Sequence, residues 1–279
     1  MKLEQKVLIN FLSTKLKMMS LVSKRKAAEA AFELFCTPIV KSKKPLPALF
    51  LESEQMDFEV GGYSIHGYRW KKEHAKKILI VHGFGSSSGN FEKYVGGLLN
   101  KGFEVLAFDA PAHGLTTGKT MDFLAFVGAI KKINEMYGPI DGFLAHSYGG
   151  LAVTYFLESV KNDQKKVVLI APATETATTI DSFFRFLNLG KELRKEFDNI
   201  IFKKDGQWPE YYSVRRSMNY IQSSVLWFHD EEDQLTPVAD ALKVKADAHP
   251  NVKFRITKGL GHSRIYRDPS IVREVLEFF

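Results

Sequence analysis

The chain has one cysteine, Cys36, in 279 residues. No intrachain disulfide can form, and nothing points to an oxidising compartment. No apolar run approaches the roughly 18 residues of a membrane-spanning helix. Internal repeats and low-complexity tracts are missing, which excludes a solenoid. A metal-hydrolase motif such as H-E-x-x-H is absent, and no metal is expected. Most of the chain also lacks net charge. Residues 1 to 44 hold ten Lys/Arg against three Glu, which is the whole of the formal +7; the rest carries 29 basic and 29 acidic side chains. A nucleic-acid enzyme carries its cations around its site. Here they belong to an N-terminal extension, so no nucleic-acid partner is expected.

What is present reads as a globular chain, with 45% hydrophobic and 25% charged residues. Leu3, Val7, Leu8, Phe11, Leu12, Leu16, Met19 and Val22 recur at spacings of three and four, one face of an amphipathic helix. Lys2, Lys6, Lys15 and Lys17 fall mostly elsewhere on it. A second helix is expected from Lys24 to Phe35, stopped by Thr37-Pro38. Two readings of this pair stay open. The helices pack on the body or on a twin subunit, or residues 1–22 make a weak contact with an anionic membrane surface. Lys15 and Lys17 interrupt the apolar piece that begins at Val7, so no cleaved signal is expected and the location reads as cytoplasmic. Lys41 to Pro47, with two prolines and three lysines, reads as a linker. The expected division is therefore a basic helical extension and linker over 1–48 and one domain over 49–279.

From Asp57 strands and helices alternate. Phe58 to Val60, the Gly61-Gly62 turn and Tyr63 to Trp70 predict a β-hairpin. Lys77 to Val81, Phe103 to Phe108, the strand ending at Ala145, Lys166 to Ile170, Ser224 to Phe228 and Val252 to Thr257 predict strands, the apolar ones buried and parallel. Helices are expected between them, the last from about Pro269. From about 174 to 217 the alternation breaks into two helical patterns, near Ile180–Leu189 and Lys191–Phe202. The whole predicts a doubly wound, mostly parallel α/β sheet, with a helical insertion over the C-terminal ends of the strands, where such sheets bind ligands.

Ala145-His146-Ser147-Tyr148-Gly149 joins an apolar strand directly to an apolar helix. So tight a turn holds Ser147 in a strained backbone conformation and needs small residues two positions either side. The stretch resembles the nucleophile elbow G-x-S-x-G of the α/β-hydrolase superfamily, with Ala145 in place of the first glycine. His82-Gly83-Phe84-Gly85 resembles that family's oxyanion loop. Asp109-Ala110-Pro111-Ala112-His113-Gly114 resembles its D-x-P-G-x-G turn, with Ala112 in place of a glycine. His229-Asp230-Glu231-Glu232-Asp233, closed by Pro237, and Gly261-His262 then follow at the ends of the last two strands, in the family's order of serine, acid and histidine. The likeness spans about Asp57 to Phe279 and implies the α/β-hydrolase fold with a helical lid over 174–217.

It also implies roles. Ser147 is the expected nucleophile, His262 the base that then acts as acid, and Asp233, rather than Asp230, the carboxylate that orients His262. The oxyanion is expected to meet the backbone N–H groups of Tyr148 and Phe84, with Gly85 as the alternative to Phe84. His82 and His113 read as structural, and His146 as lining the site or packing beneath it. Phe183 and Phe184 of the insertion are expected to wall an apolar acyl pocket. The expected activity is hydrolysis of a small to medium apolar carboxylic ester through an acyl-enzyme, with no cofactor. A thioesterase, an amidase or C–C hydrolase on the same residues, and a non-catalytic binding protein are the alternatives. A dinucleotide fold is disfavoured because Ser88 stands where the third glycine of its fingerprint belongs. A dehalogenase or epoxide hydrolase of this fold would need an aspartate at Ser147. Oligomeric state is not legible.

Overall fold

The computed structural model describes residues 3–38 and 45–279; residues 41–44 of the expected linker lie outside them. In chain order the elements are α1 (Leu3–Val22), α2 (Lys24–Cys36), α3 (Ala48–Leu51), β1 (Glu54–Val60), β2 (Tyr63–Trp70), β3 (Lys77–Val81), α4 (Glu92–Asn100), β4 (Glu104–Phe108), α5 (Phe123–Tyr137), β5 (Gly142–His146) and α6 (Tyr148–Leu157). There follow β6 (Lys166–Ile170), α7 (Thr176–Phe186), α8 (Lys191–Asp205), α9 (Val214–Ser217), β7 (Ser224–Asp230), α10 (Val238–Ala246), β8 (Val252–Thr257), α11 (Gly261–Arg264) and α12 (Pro269–Phe278). The chain forms two compact units. One is residues 1–37 with Glu175–Ser213, and the other is Pro38–Thr174 with Val214–Phe279.

The larger unit is built on an eight-stranded sheet of order β1-β2-β4-β3-β5-β6-β7-β8. β1 and β2 form the expected hairpin, β2 pairs antiparallel with β4, and all later pairings are parallel. Consecutive apolar residues in β3 to β6 make sense only if helices cover both faces. On one face Ile80, Leu144, Val168 and Phe228 pack with Tyr94, Val95 and Leu98 of α4 and with Ile271 and Val275 of α12. On the other, Phe143 meets Phe156 of α6 and Phe108 meets Phe126 of α5, at ring distances of 5.8 Å in each case. Helix starts follow local chemistry. Asp122 caps α5 through its carboxylate and the Ala125 N–H, and Asp268 caps α12, whose first residue is Pro269. This arrangement puts the ends of β5, β7 and β8 on one edge of the sheet, followed by Ser147, the 231–236 loop and His262.

The smaller unit is helical, and its membership departs from the division expected from sequence. α1 and α2 do not form a unit of their own ending at residue 48. They cluster with α7 and α8, the insertion between β6 and β7. The reason is aromatic. Phe32 and Phe35 lie three residues apart on one face of α2 and meet Phe197 edge-on at 5.5 and 5.6 Å, while Phe35 meets Phe183 at 5.2 Å. Phe184 meets Phe197 at 5.3 Å, so four rings converge on one fully buried phenyl. Ser13 of α1 donates its hydroxyl to the Leu187 carbonyl at 2.6 Å. α8 ends at Gly206, whose φ of 71° suits the left-handed conformation that closes a helix.

Phe197→Ala is expected to destabilise this unit by about 3–5 kcal/mol, the usual cost of removing a buried phenyl. Hydrogen exchange would show the change as lost amide protection in α2, α7 and α8, with β3 to β6 unaltered. Equal loss in the sheet would contradict the division into units.

Candidate active site

β5 delivers His146 and then Ser147, whose φ of 55° and ψ of −125° are forced by the immediate turn into α6. Such a backbone costs on the order of 1–3 kcal/mol and persists only where its surroundings leave no alternative. Two glycines supply those surroundings. A Cβ on Gly149 would stand 2.5 Å from the Val81 carbonyl oxygen, and one on Gly83 would stand 2.6 Å from the Cβ of Ser147. The Ser147 N–H donates to the Ile170 carbonyl at 3.0 Å, which ties the turn to β6. Ala145, fully buried in β5, fits where the resembling motif carries glycine.

His262 in α11 lies between a hydroxyl and a carboxylate. Its Nε2 is 3.0 Å from Ser147 Oγ, and its Nδ1 is 2.8 Å from Asp233 Oδ2. Asp233 is buried, and burial pushes its pKa up. The His262 imidazole, the Thr236 N–H and the Thr236 hydroxyl more than offset this, and its net pKa is below the ordinary carboxylate value. Leu235 N–H and Thr236 N–H both donate to Oδ1 at 2.9 Å, so the carboxylate cannot rotate away. Sequence reasoning missed Thr236. Its hydroxyl is 2.8 Å from Asp233 Oδ2 and 3.1 Å from His262 Nδ1, which puts it against both partners of that bond. The only hint in sequence was a hydroxyl residue directly before Pro237.

Asp230 does a different job. It accepts from the Thr257 hydroxyl at 2.7 Å and from the N–H groups of Glu232, Leu260 and Gly261 at 2.9–3.0 Å. Those bonds hold the loop that carries His262. Burial raises its pKa, but the Thr257 hydroxyl and then the three N–H donors outweigh burial and leave it depressed.

The remaining histidines brace backbone. His82 accepts the Ala110 N–H on Nε2 at 3.0 Å and sets Nδ1 against the Gly83 carbonyl at 2.8 Å. His113 accepts the Gly85 N–H on Nε2 at 2.8 Å. That bond occupies the Gly85 N–H, the expected alternative to Phe84. His229 accepts the Trp227 indole N–H and donates Nε2–H to the Thr236 carbonyl at 2.6 Å. Burial lowers the pKa of His82 and of His229. His146 lies beneath the site, its Nε2–H pointing at the His262 carbonyl at 3.2 Å and its ring 4.4 Å from that of Tyr266. Burial, then the nearby His262, hold its pKa well below the ordinary imidazole range, and its Nδ1 is buried without a hydrogen-bond partner. Phe84 leaves 40% of its surface exposed, one residue from the glycine that touches Ser147. Phe183 and Phe184 are ring partners of Phe35 and Phe197 inside the helical unit.

Comparison with known proteins bears on the fold. The sequence model of the serine aminopeptidase family S33 matches residues 72–205. A bifunctional esterase/perhydrolase of Acinetobacter calcoaceticus is 30% identical over 159 residues, 55% of each chain. A putative esterase/lipase of Mycoplasma pneumoniae is 22% identical over 241 residues, covering 72% of this chain and 88% of its own. The solved esterase of Pyrococcus furiosus superposes with a TM-score of 0.64 at 22% identity, over 85% of this chain and 94% of its own. The chain has the α/β-hydrolase fold. The chain spans only about half the length of the Acinetobacter protein.

Because the folded pKa of Asp230 lies below its unfolded value near 3.9, its contribution to stability is fully present above that value. The contribution is lost as pH falls through the folded pKa. Asp230→Asn should therefore destabilise the protein by about 1–3 kcal/mol at pH 7, with the gap to the parent closing in acid. Urea denaturation at neutral and acid pH would check this, and a gap that widens in acid would contradict it.

Proposed function

We propose that the protein is a serine hydrolase that cleaves carboxylic esters through an acyl-enzyme on Ser147. The observation that carries the reading is the position of His262, with Nε2 3.0 Å from Ser147 Oγ and Nδ1 2.8 Å from Asp233. A serine hydroxyl is a poor nucleophile until a base takes its proton in the transition state. As Ser147 Oγ attacks the ester carbonyl carbon, its proton passes to His262 Nε2. The imidazolium that forms keeps its Nδ1–H on Asp233, which stays ionised throughout. The carbonyl oxygen becomes an oxyanion, to be met by the backbone N–H groups of Phe84 and Tyr148. Tyr148 opens α6, so its N–H points along the positive end of that helix.

Collapse of the tetrahedral intermediate breaks the bond to the alkoxide, which leaves with the proton from His262. Water then attacks the acyl-enzyme, giving its proton to the same nitrogen, and the carboxylic acid departs as Ser147 recovers its own. The Thr236 hydroxyl, touching both Asp233 and His262, keeps the pair in register through both halves. Esters are favoured over amides because proteins named as esterases recur among the similar chains, the Acinetobacter, Mycoplasma and Pyrococcus proteins among them. The exposed Phe84 ring beside the serine offers an apolar surface to the acyl or alcohol group.

Ser147→Ala should lower kcat on p-nitrophenyl esters by up to on the order of 10⁶ with an unchanged melting curve. Asp233→Asn should cost about 10⁴, by leaving His262 in the wrong tautomer. Thr236→Val should cost far less and leave KM unaltered, and Asp230→Asn should act mainly on stability. Each further CH₂ buried is worth about 0.8 kcal/mol, so kcat/KM should rise with acyl length by about fourfold per carbon until the apolar surface is used. Phe84→Ala should flatten that rise. Full activity in Ser147→Ala, or amides turned over faster than every ester, would overturn the assignment.

A further inference from the structure

α1 is apolar on two sides, and only one of them is covered. Leu16 is buried, and Ile9, Leu12 and Met19 beside it are partly buried. On the opposite side Val7, Phe11, Met18, Leu21 and Val22 are exposed by 61, 62, 64, 89 and 90%. At about 100° of rotation per residue these five side chains share an arc of roughly 100°. Lys15 and Lys17, both exposed, fall about 80° to either side of its centre. α2 then begins Lys24-Arg25-Lys26, all exposed. Between Glu4 and Glu29 the chain contains no acidic residue.

We propose that this outward face of α1 docks on an anionic lipid surface, with the helix lying in the plane of the interface. The charge pattern selects that occupant. Lysines along both edges of an apolar stripe can lay their methylene stems on it while their ammonium groups reach phosphate. A second copy of α1 seated on the same face would bring its lysines against lysines, with Glu4 the single acidic residue in the helix sequence. Spanning is excluded for α1 itself, since no helix among the described residues is long and apolar enough to cross a membrane. The inner face of α1 and the rings of α2 are packed with the insertion, through Ser13 on Leu187 and Phe35 on Phe183. A membrane-bound α1 therefore carries α7 and α8 with it.

The test is sedimentation of the full-length chain with vesicles of phosphatidylcholine alone and of phosphatidylcholine mixed with phosphatidylglycerol. Binding is expected to the mixed vesicles and should weaken as salt shortens the screening length from about 10 Å at 0.1 M to about 3 Å at 1 M. Reversing the flanking charges with Lys15→Glu and Lys17→Glu should cut partitioning by on the order of tenfold or more. Phe11→Glu with Met18→Glu should abolish it. All four side chains are exposed, so melting temperature and turnover of a soluble ester should not change, which separates failed docking from failed folding or failed catalysis. Equal binding to both vesicle types, or none to either, would overturn the proposal. So would a dimer seen by ultracentrifugation that the Phe11/Met18 variant dissociates while vesicle binding stays absent.

Discussion

Ser147 can stand at φ 55° only because Gly149 lets α6 begin against the carbonyls of Val81 and His82. Everything at the site follows from that close approach. A methyl at Gly149 would push α6 off the end of β3, and the serine would relax into an ordinary helix start with its hydroxyl turned elsewhere. With the approach in place, Oγ stands clear of the sheet edge, and the N–H of Tyr148 begins a helix beside it. The strain is local and is held by the central strands, where β3, β5 and β6 pair in register on both sides of the turn.

The histidine side of the site depends on a carboxylate that does no chemistry. Asp230 gathers the N–H groups of Leu260 and Gly261 across from β7 and so fixes the loop from which His262 projects. Asp233, three residues on, is then free to meet His262 itself. Two carboxylates in one loop thus have distinct surroundings. Asp230 is held by a hydroxyl and three amides, Asp233 by two amides, a hydroxyl and an imidazole. His146 closes the arrangement from below, donating to the His262 carbonyl while its ring packs beside Tyr266 and Phe91.

Much of this was legible in sequence because it is local. An unbroken apolar run such as Ile78 to Val81 reads as a strand covered on both faces, and the resemblance of His229 to Pro237 to the family's acid loop points to Asp233 over Asp230. The helical patterns of α1, α2, α7 and α8 were equally plain. Their partnership was not, because periodicity shows which face of a helix is apolar and says nothing of which helix, some 150 residues away, will cover it. The ring that Phe183 and Phe184 both meet, Phe197, sits on the next helix. The role of Thr236 was hidden for another reason, since a hydroxyl before a proline is common in loops. Only the fold brings it to 2.8 Å from Asp233. The engagement of the Gly85 N–H by His113 likewise depends on two loops 28 residues apart meeting at the sheet edge.

The central claim is that the His262–Asp233 pair activates the Ser147 hydroxyl. It is tested most directly by treating the folded chain with a fluorophosphonate and locating the adduct by mass spectrometry. The account predicts one stoichiometric adduct, on Ser147, formed orders of magnitude more slowly in His262→Ala. An unlabelled chain, an adduct on another serine such as Ser86 or Ser263, or labelling of Ser147 at the same rate without His262 would contradict it.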